Sequence, residues 1–273
     1  MTISAVSPDV ESMKNRLKTI WMAGDYDRFS RYMETGAREF YERLQVAPGC
    51  RLLDVGCGSG QLALMAARDG LEVTGVDIAS NLVERARARA QAEGLHACFD
   101  EADAEALPFE EARFDVVASL IGAMFAPRPD LVAKELLRVC APGGTIAMAN
   151  WTPQGFVGQM FKAVSKFIAP SGMPSPLLWG DEATVRERLG KGLSDLHLVR
   201  RHYTFSYPFP PSEVVELFRL YYGPTNQAFA FLDGTDQEHL RRKLEELWSS
   251  HNRGGRDCTT VAAEYLEVIG VRA

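Results

Sequence analysis

The chain has 273 residues, 46% of them hydrophobic and 24% charged, with a formal net charge of −6. That length is enough to bury a full core in one large domain. The acidic balance gives no overall basic footprint for nucleic acid, and the composition is that of a globular protein rather than a disordered or fibrous one.

The first sixteen residues hold no apolar stretch with a small-residue cleavage site, so no secretory signal is expected there. Residues 9–45 read as helical and are interrupted by Gly24-Asp25. Leu17, Ile20 and Trp21 share one face, and Phe40, Tyr41 and Leu44 form a second apolar group. This segment forms an expected N-terminal cap over residues 1–47. By itself the pattern reads Tyr26, Phe29 and Tyr32 as aromatic packing.

From 50 to 150 strands and helices alternate as in a doubly wound sheet. Strands are expected at 51–55, 72–76, 96–100, 114–119 and 144–150, and helices near 60–69, 80–93 and 130–140. The first strand runs through Leu52-Leu53 to Asp54 and enters a loop with glycine at every second position, Gly56, Gly58 and Gly60. An Ala-rich amphipathic helix follows. This layout brings bare backbone and a helix N-terminus up to a ligand. The dinucleotide fingerprint G-x-G-x-x-G would need its third glycine at Gln61, one residue later than the last glycine here. Asp54 would also repel a pyrophosphate and suits a ligand bearing an ammonium. The second strand ends at Asp77, placed about 20 residues past the loop to accept both hydroxyls of a ribose. Taken singly, Asp54 serves equally well as a turn former and Asp77 as a helix N-cap. Asp103 lies in an acidic run whose default reading is a solvated surface.

Residues 139–161 carry no charge, but Pro142, Gly143, Gly144, Asn150 and Pro153 break them, so a turn and a strand fit better than a membrane span. An insertion is expected over 151–195, with a helix at 156–168, a proline-rich loop at 169–176 and a helix at 181–190. Residues 196–273 should complete the sheet with a strand at 196–205, helices at 213–222 and 236–250, and a last strand near 259–270. Nothing marks a linker to a second domain, so one domain over 1–273 is expected. Cys50, Cys57, Cys98, Cys140 and Cys258 are scattered, with no C-x-x-C and no paired histidine spacing. That pattern fits a reducing, cytoplasmic setting without a bound metal.

Several segments together resemble one family. Asp54-Val55-Gly56-Cys57-Gly58-Ser59-Gly60 is similar to the first motif of class I S-adenosylmethionine-dependent methyltransferases. Val76-Asp77, Asp103-Ala104 with Leu107-Pro108-Phe109, Phe114-Asp115-Val116-Val117, and Leu137 to Gly144 resemble the later motifs in the same order. The resemblance covers roughly residues 50–150 and is nearest to the type 11 group that includes ubiquinone and menaquinone C-methylating enzymes. It implies an α/β, Rossmann-like, seven-stranded sheet with its last strand antiparallel, an N-terminal helical cap with Tyr26, Phe29 and Tyr32 as candidates for the lid, and a helical insertion after the fifth strand.

The resemblance also implies S-adenosyl-L-methionine as cofactor and S-adenosyl-L-homocysteine as its product. Asp54, Gly56, Cys57, Gly58 and Gly60 would then meet the methionine end. Asp77 with Ile78 would hold the ribose, Asp103 and Ala104 the adenine, and Ser119 the amino-acid portion. The acceptor would be a small molecule, aromatic or lipophilic. Phe125, Trp151, Phe156, Trp179, Tyr221, Tyr222 and Phe229 are candidates for its lining, and His202 is the candidate general base. The alternative is a protein of the same fold that binds the cofactor without methylating. Acceptor identity and oligomeric state are not legible in these residues.

Overall fold

The computed structural model describes residues 9–167 and 172–273. The middle of the sheet is apolar, with Leu52, Leu53, Val55, Val116, Val117 and Ala118 all buried. β1 (Arg51–Val55), β2 (Glu72–Asp77), β3 (Ala97–Glu101), β4 (Phe114–Leu120) and β5 (Cys140–Trp151) pair in parallel. β7 (Thr259–Arg272) runs antiparallel to both β5 and β6 (Leu193–Tyr207). The seven-stranded order is β3-β2-β1-β4-β5-β7-β6. The order therefore reverses between β1 and β4, the switch point outside whose strand ends ligands bind in open α/β sheets.

The expected strands and crossover helices all form. α4 (Gln61–Arg68), α5 (Ser80–Ala92) and α6 (Pro129–Val139) fill the crossovers. Three local differences have physical reasons. The Pro142-Gly143-Gly144 segment is a register break inside β5 and not a turn before it: Phe114 pairs Cys140, and pairing then resumes at Val116 with Thr145. The 213–222 helix is followed at once by another. α9 (Pro211–Tyr221) passes through Tyr222 into α10 (Gly223–Ala230), whose Pro224 at the start of the helix costs no hydrogen bond. The helix after β5 is α7 (Phe156–Val164), shorter than the expected 156–168. Ile168 and residues 169–171 of the expected loop lie outside the described residues, and Pro176–Gly180 forms a 3-10 turn before α8 (Glu182–Leu189).

Three helices precede the sheet: α1 (Val10–Met22), α2 (Tyr26–Ser30) and α3 (Glu34–Leu44). The α1–α2 corner rests on the C-terminal helices, where Asp25 donates its N–H to the Tyr221 carbonyl at 3.2 Å. α3 is pinned to the sheet by Arg43, which pairs at 2.7 Å with the buried Glu267 of β7. No helix among the described residues is long and apolar enough to cross a membrane.

α11 (Gly234–His251) closes the apolar face of β6. Its Trp248 is fully buried among Phe156, Phe205, Tyr207 and Phe218, at ring separations of 4.5–5.8 Å. Trp248→Ala should cost about 3–5 kcal/mol of folding stability, read by denaturant unfolding. A loss below about 1 kcal/mol would show that this cluster does not hold the C-terminal helices to the sheet.

Candidate active site

The glycine loop begins where β1 ends. Gly56, Gly58 and Gly60 all take positive φ, at 75°, 54° and 86°, a region that side chains disfavour. Gly56 also crosses another backbone, since a Cβ there would stand 2.6 Å from Gly122 Cα. Gly56 and Cys57 donate their N–H groups to the Val76 carbonyl at 2.8 and 3.0 Å, so the loop folds back over the end of β2. There Asp77 accepts from Gly58 N–H at 2.8 Å and from Ala79 N–H at 2.9 Å. Asp54, 2% exposed, accepts from Ala63 N–H at 3.2 Å in the first turn of α4.

Neither carboxylate has a lysine, arginine or histidine partner among the described residues. Burial pushes Asp54 up to about 7, with the field of Asp77 adding to the shift. Burial raises Asp77 as well, against the bonds from Ala79 and Gly58. Buried anions without a counter-charge are costly, so this pair favours a positively charged ligand. The Cys57 thiol is held protonated by burial and by both acids, which rules it out as a nucleophile.

Around the pair lies an open cleft of about 900 Å³. Asp54, Gly56, Cys57, Gly58, Asp77, Ile78, Asp103 and Ala104, expected at the cofactor, line it; Phe125, expected at the acceptor, lines it too. The opposite wall comes from α1 and α2, through Lys14, Leu17, Trp21 and Tyr26. A Cβ on Gly58 would come within 3.3 Å of the Tyr26 ring, so a side chain there would fill the space between loop and lid. Gln61 also lines the cleft, and its Nε2 is buried without a partner. Asp103 is paired with Lys14, which lies 2.7 Å from the buried Glu105. Arg128 Nε meets the same oxygen of Glu105, Oε2, at 2.7 Å.

Two expected ligand contacts are taken up by the fold itself. The Ser119 hydroxyl donates to the Val55 carbonyl at 2.7 Å and accepts from Ala123 N–H at 2.9 Å, and Ser119 does not line the cleft. Gly60 is likewise outside the lining. A Cβ there would meet Ala86, Leu64 and Phe99 at 3.2–3.4 Å, so this glycine serves helix packing.

A second, apolar chamber adjoins the cleft. Trp21, Tyr26 and Ile121 form the wall common to both spaces. Trp151, Phe29, Met160 and Tyr222 line the chamber, and no charged side chain does. Phe156, Trp179, Tyr221 and Phe229 lie outside both spaces. Phe156 packs on Trp248, Trp179 lies beneath Arg188, Tyr221 carries Arg28 at 4.5 Å, and Phe229 is buried core. Tyr32 packs on Tyr207 and Phe209. His202 is exposed on the outward-facing side of β6, because strand alternation turns Tyr203 inward instead. It reaches neither space and has no role as a base there.

Lys14, Leu17, Trp21, Ile121 and Gly122 were not anticipated as lining. The first three follow the i, i+3, i+7 spacing of one helix face, a readable signal; the 121–122 turn carries none. Among the described residues no group of three His, Cys, Asp or Glu side chains stands together as a metal site would.

Known proteins resemble this chain in sequence and in fold. Residues 53–148 match the family model described as a methyltransferase domain. An uncharacterized protein of Mycobacterium tuberculosis is 35% identical over 260 residues, covering 93% of this chain and 95% of its own. The demethylmenaquinone methyltransferase of Thermus thermophilus is 35% identical over 159 residues, covering 55% of this chain and 72% of its own. The solved phosphoethanolamine N-methyltransferase 2 of Haemonchus contortus, in complex with S-adenosyl-L-methionine, superposes with a TM-score of 0.57 at 19% identity. That match covers 87% of this chain and 52% of the other.

The raised Asp54 has a consequence for stability. Its folded value lies above that of the unfolded chain, so it favours the folded state most at low pH. That contribution is lost as pH rises through about 7. Asp54→Asn keeps an acceptor for Ala63 N–H and removes the charge. Its thermal midpoint should exceed that of wild type at pH 8, with the gap closing towards pH 5. A gap independent of pH would contradict the assignment of a buried charge.

Proposed function

The chain belongs to the class I S-adenosylmethionine-dependent methyltransferases of the type 11 group, and from this premise we propose that it transfers a methyl group to a small, apolar acceptor bound in the chamber beside the cleft. The observation that carries the reading is the buried Asp54 with the half-buried Asp77 near it, neither paired with a protein cation among the described residues, in a cleft that opens towards that chamber. When bound, S-adenosyl-L-methionine supplies a methyl group on a sulfonium, open to in-line displacement with S-adenosyl-L-homocysteine as the leaving group.

The chain's own residues supply placement and exclusion of water. Gly56 and Gly58 keep side chains out of the space beside the loop, and Asp54 favours the positively charged end of the ligand. Asp77 faces the cleft with acceptor capacity beyond its two backbone bonds, which suits ribose hydroxyls. Asp103 with Ala104 lies further along, where the adenine would sit, and Lys14 of α1 closes over it. The unpartnered Gln61 amide offers a donor to the same ligand.

On the other side of Trp21 and Tyr26, the apolar wall holds the acceptor by burial and keeps water from competing. Alignment of this kind can contribute roughly 7–11 kcal/mol to catalysis in favourable cases. No general base is required of the protein when the acceptor is itself nucleophilic. Residues 1–273 are read as one working unit, in which the helices of 1–47 and the elements after residue 151 complete the two spaces.

Titration calorimetry with S-adenosyl-L-homocysteine tests the assignment. Asp77→Ala should weaken binding by on the order of 1–3 kcal/mol. Unchanged affinity would remove Asp77 from the cofactor site, and failure of the wild-type protein to bind would remove the proposal.

A further inference from the structure

β3 runs out at Glu101, and the chain turns at once. Ala102 donates its N–H to the Asp77 carbonyl at 3.0 Å, and Ala106 donates to the Asp103 carbonyl at 3.0 Å. Within this turn Asp103 commits Oδ1 to its own backbone, accepting from Glu105 N–H at 2.9 Å. One bond leaves the carboxylate free to swivel about Cβ–Cγ, a torsion with broad wells. The second oxygen, Oδ2, is held by the Lys14 ammonium of α1. Lys14 is itself fixed, with its side chain only 14% exposed and its Nζ 2.7 Å from the wholly buried Glu105. Glu105 is anchored in turn by Arg128, whose N–H donates to Oε1 at 2.6 Å. Lys14 is the one cationic side chain among the described residues that line the cleft.

We propose that Lys14 is a positioning residue for the nucleobase. It locks the Asp103 carboxylate with lone pairs turned to the amine of adenine, and the preference of the cleft for an amino-purine depends on it. The inference rests on the cleft being the cofactor site. A carboxylate held at both oxygens still has lone pairs for a further donor. Fixed in place, such an acceptor binds a base edge that carries an amine and repels one that carries a carbonyl oxygen. Free to turn away, it loses much of that discrimination.

The charge pattern separates this end from the other acids of the cleft. Asp54 and Asp77 have no protein cation among the described residues, so a ligand's positive charge answers them. Asp103 is already matched by Lys14, so it selects by the direction of a hydrogen bond and suits an uncharged base. No neighbouring cation takes this part. Arg128 ends on Glu105, and Lys18, one turn along α1, pairs with Glu101, which does not line the cleft.

Titration calorimetry with two ligands tests the proposal. S-adenosyl-L-homocysteine carries the amine, and S-inosyl-L-homocysteine has a carbonyl oxygen in its place. Wild type should prefer the adenosyl ligand at least about tenfold. Lys14→Met keeps an unbranched stem on α1 and removes the ammonium. It should weaken the adenosyl ligand about tenfold and leave the inosyl ligand within about twofold, so that the preference nearly disappears. Lys14→Ala gives the same comparison should Lys14→Met not fold.

Equal weakening of both ligands would show that Lys14 only seats α1, and would overturn the proposal. So would a preference unchanged in the variant, or a wild-type protein that binds both ligands alike. A wild-type protein that binds neither would instead sink the reading of the cleft, and this inference with it.

Discussion

Two neighbouring carboxylates at the ends of β1 and β2, Asp54 buried and Asp77 half-buried, set the terms for everything around them. Asp54 and Asp77 are held by backbone N–H groups and by no cation among the described residues. The left-handed turn at Gly56 and Gly58 is what brings the Gly58 N–H down onto Asp77. The passage of Gly56 against Gly122 fixes the second wall of the cleft at the end of β4. A protein that keeps two anions this poorly compensated gives up stability at neutral pH. The natural return on that cost is affinity for a ligand carrying positive charge.

The N-terminal helices are tied to this same loop by charge. Asp27 of α2 is buried, with Arg89 and Arg85 of α5 at 3.5 and 3.6 Å, and Arg89 also donates to the Ser59 carbonyl at 3.0 Å. Lys14 and Lys18 of α1 reach across to Asp103 and Glu101. The lid and the glycine loop thus share partners, and displacement of one disturbs the other. Tyr26 sits at the junction, over Gly58 on one side and the apolar chamber on the other. One helical corner therefore serves both the charged cleft and the dry chamber.

The parallel core was legible because its signals are local. A run of apolar residues ending in an acid, then alternating glycines, can be met in few other ways. Asp54, Asp77, Asp103 and the first two glycines stand where strand ends must put them. Ser119 misled because a hydroxyl at a strand end can bond the neighbouring backbone, and here it ties β4 to β1. Gly60 misled because the need for a bare position came from α5 and β3, not from a ligand. Of the aromatic candidates after residue 120, Phe125 reaches the cleft and Trp151 and Tyr222 reach the chamber, while Phe156, Trp179 and Phe229 are core and Tyr221 is half-buried beneath Arg28. Tertiary packing decides that division, and it leaves no mark in residue type or spacing. Trp21 and Lys14 could have been read from the face of α1, had the lid been taken to reach the cleft.

The central claim is that a cation is missing from the pair of acids at the ends of β1 and β2, and proton exchange on ligand binding measures it directly. Calorimetry of S-adenosyl-L-homocysteine binding at pH 7, in two buffers of different ionisation enthalpy, gives the number of protons exchanged. With Asp54 at about 7 in the free protein, arrival of the ligand's ammonium should release about half a proton, and Asp54→Asn should abolish that release. Binding with no proton released, or with one taken up, would contradict the account.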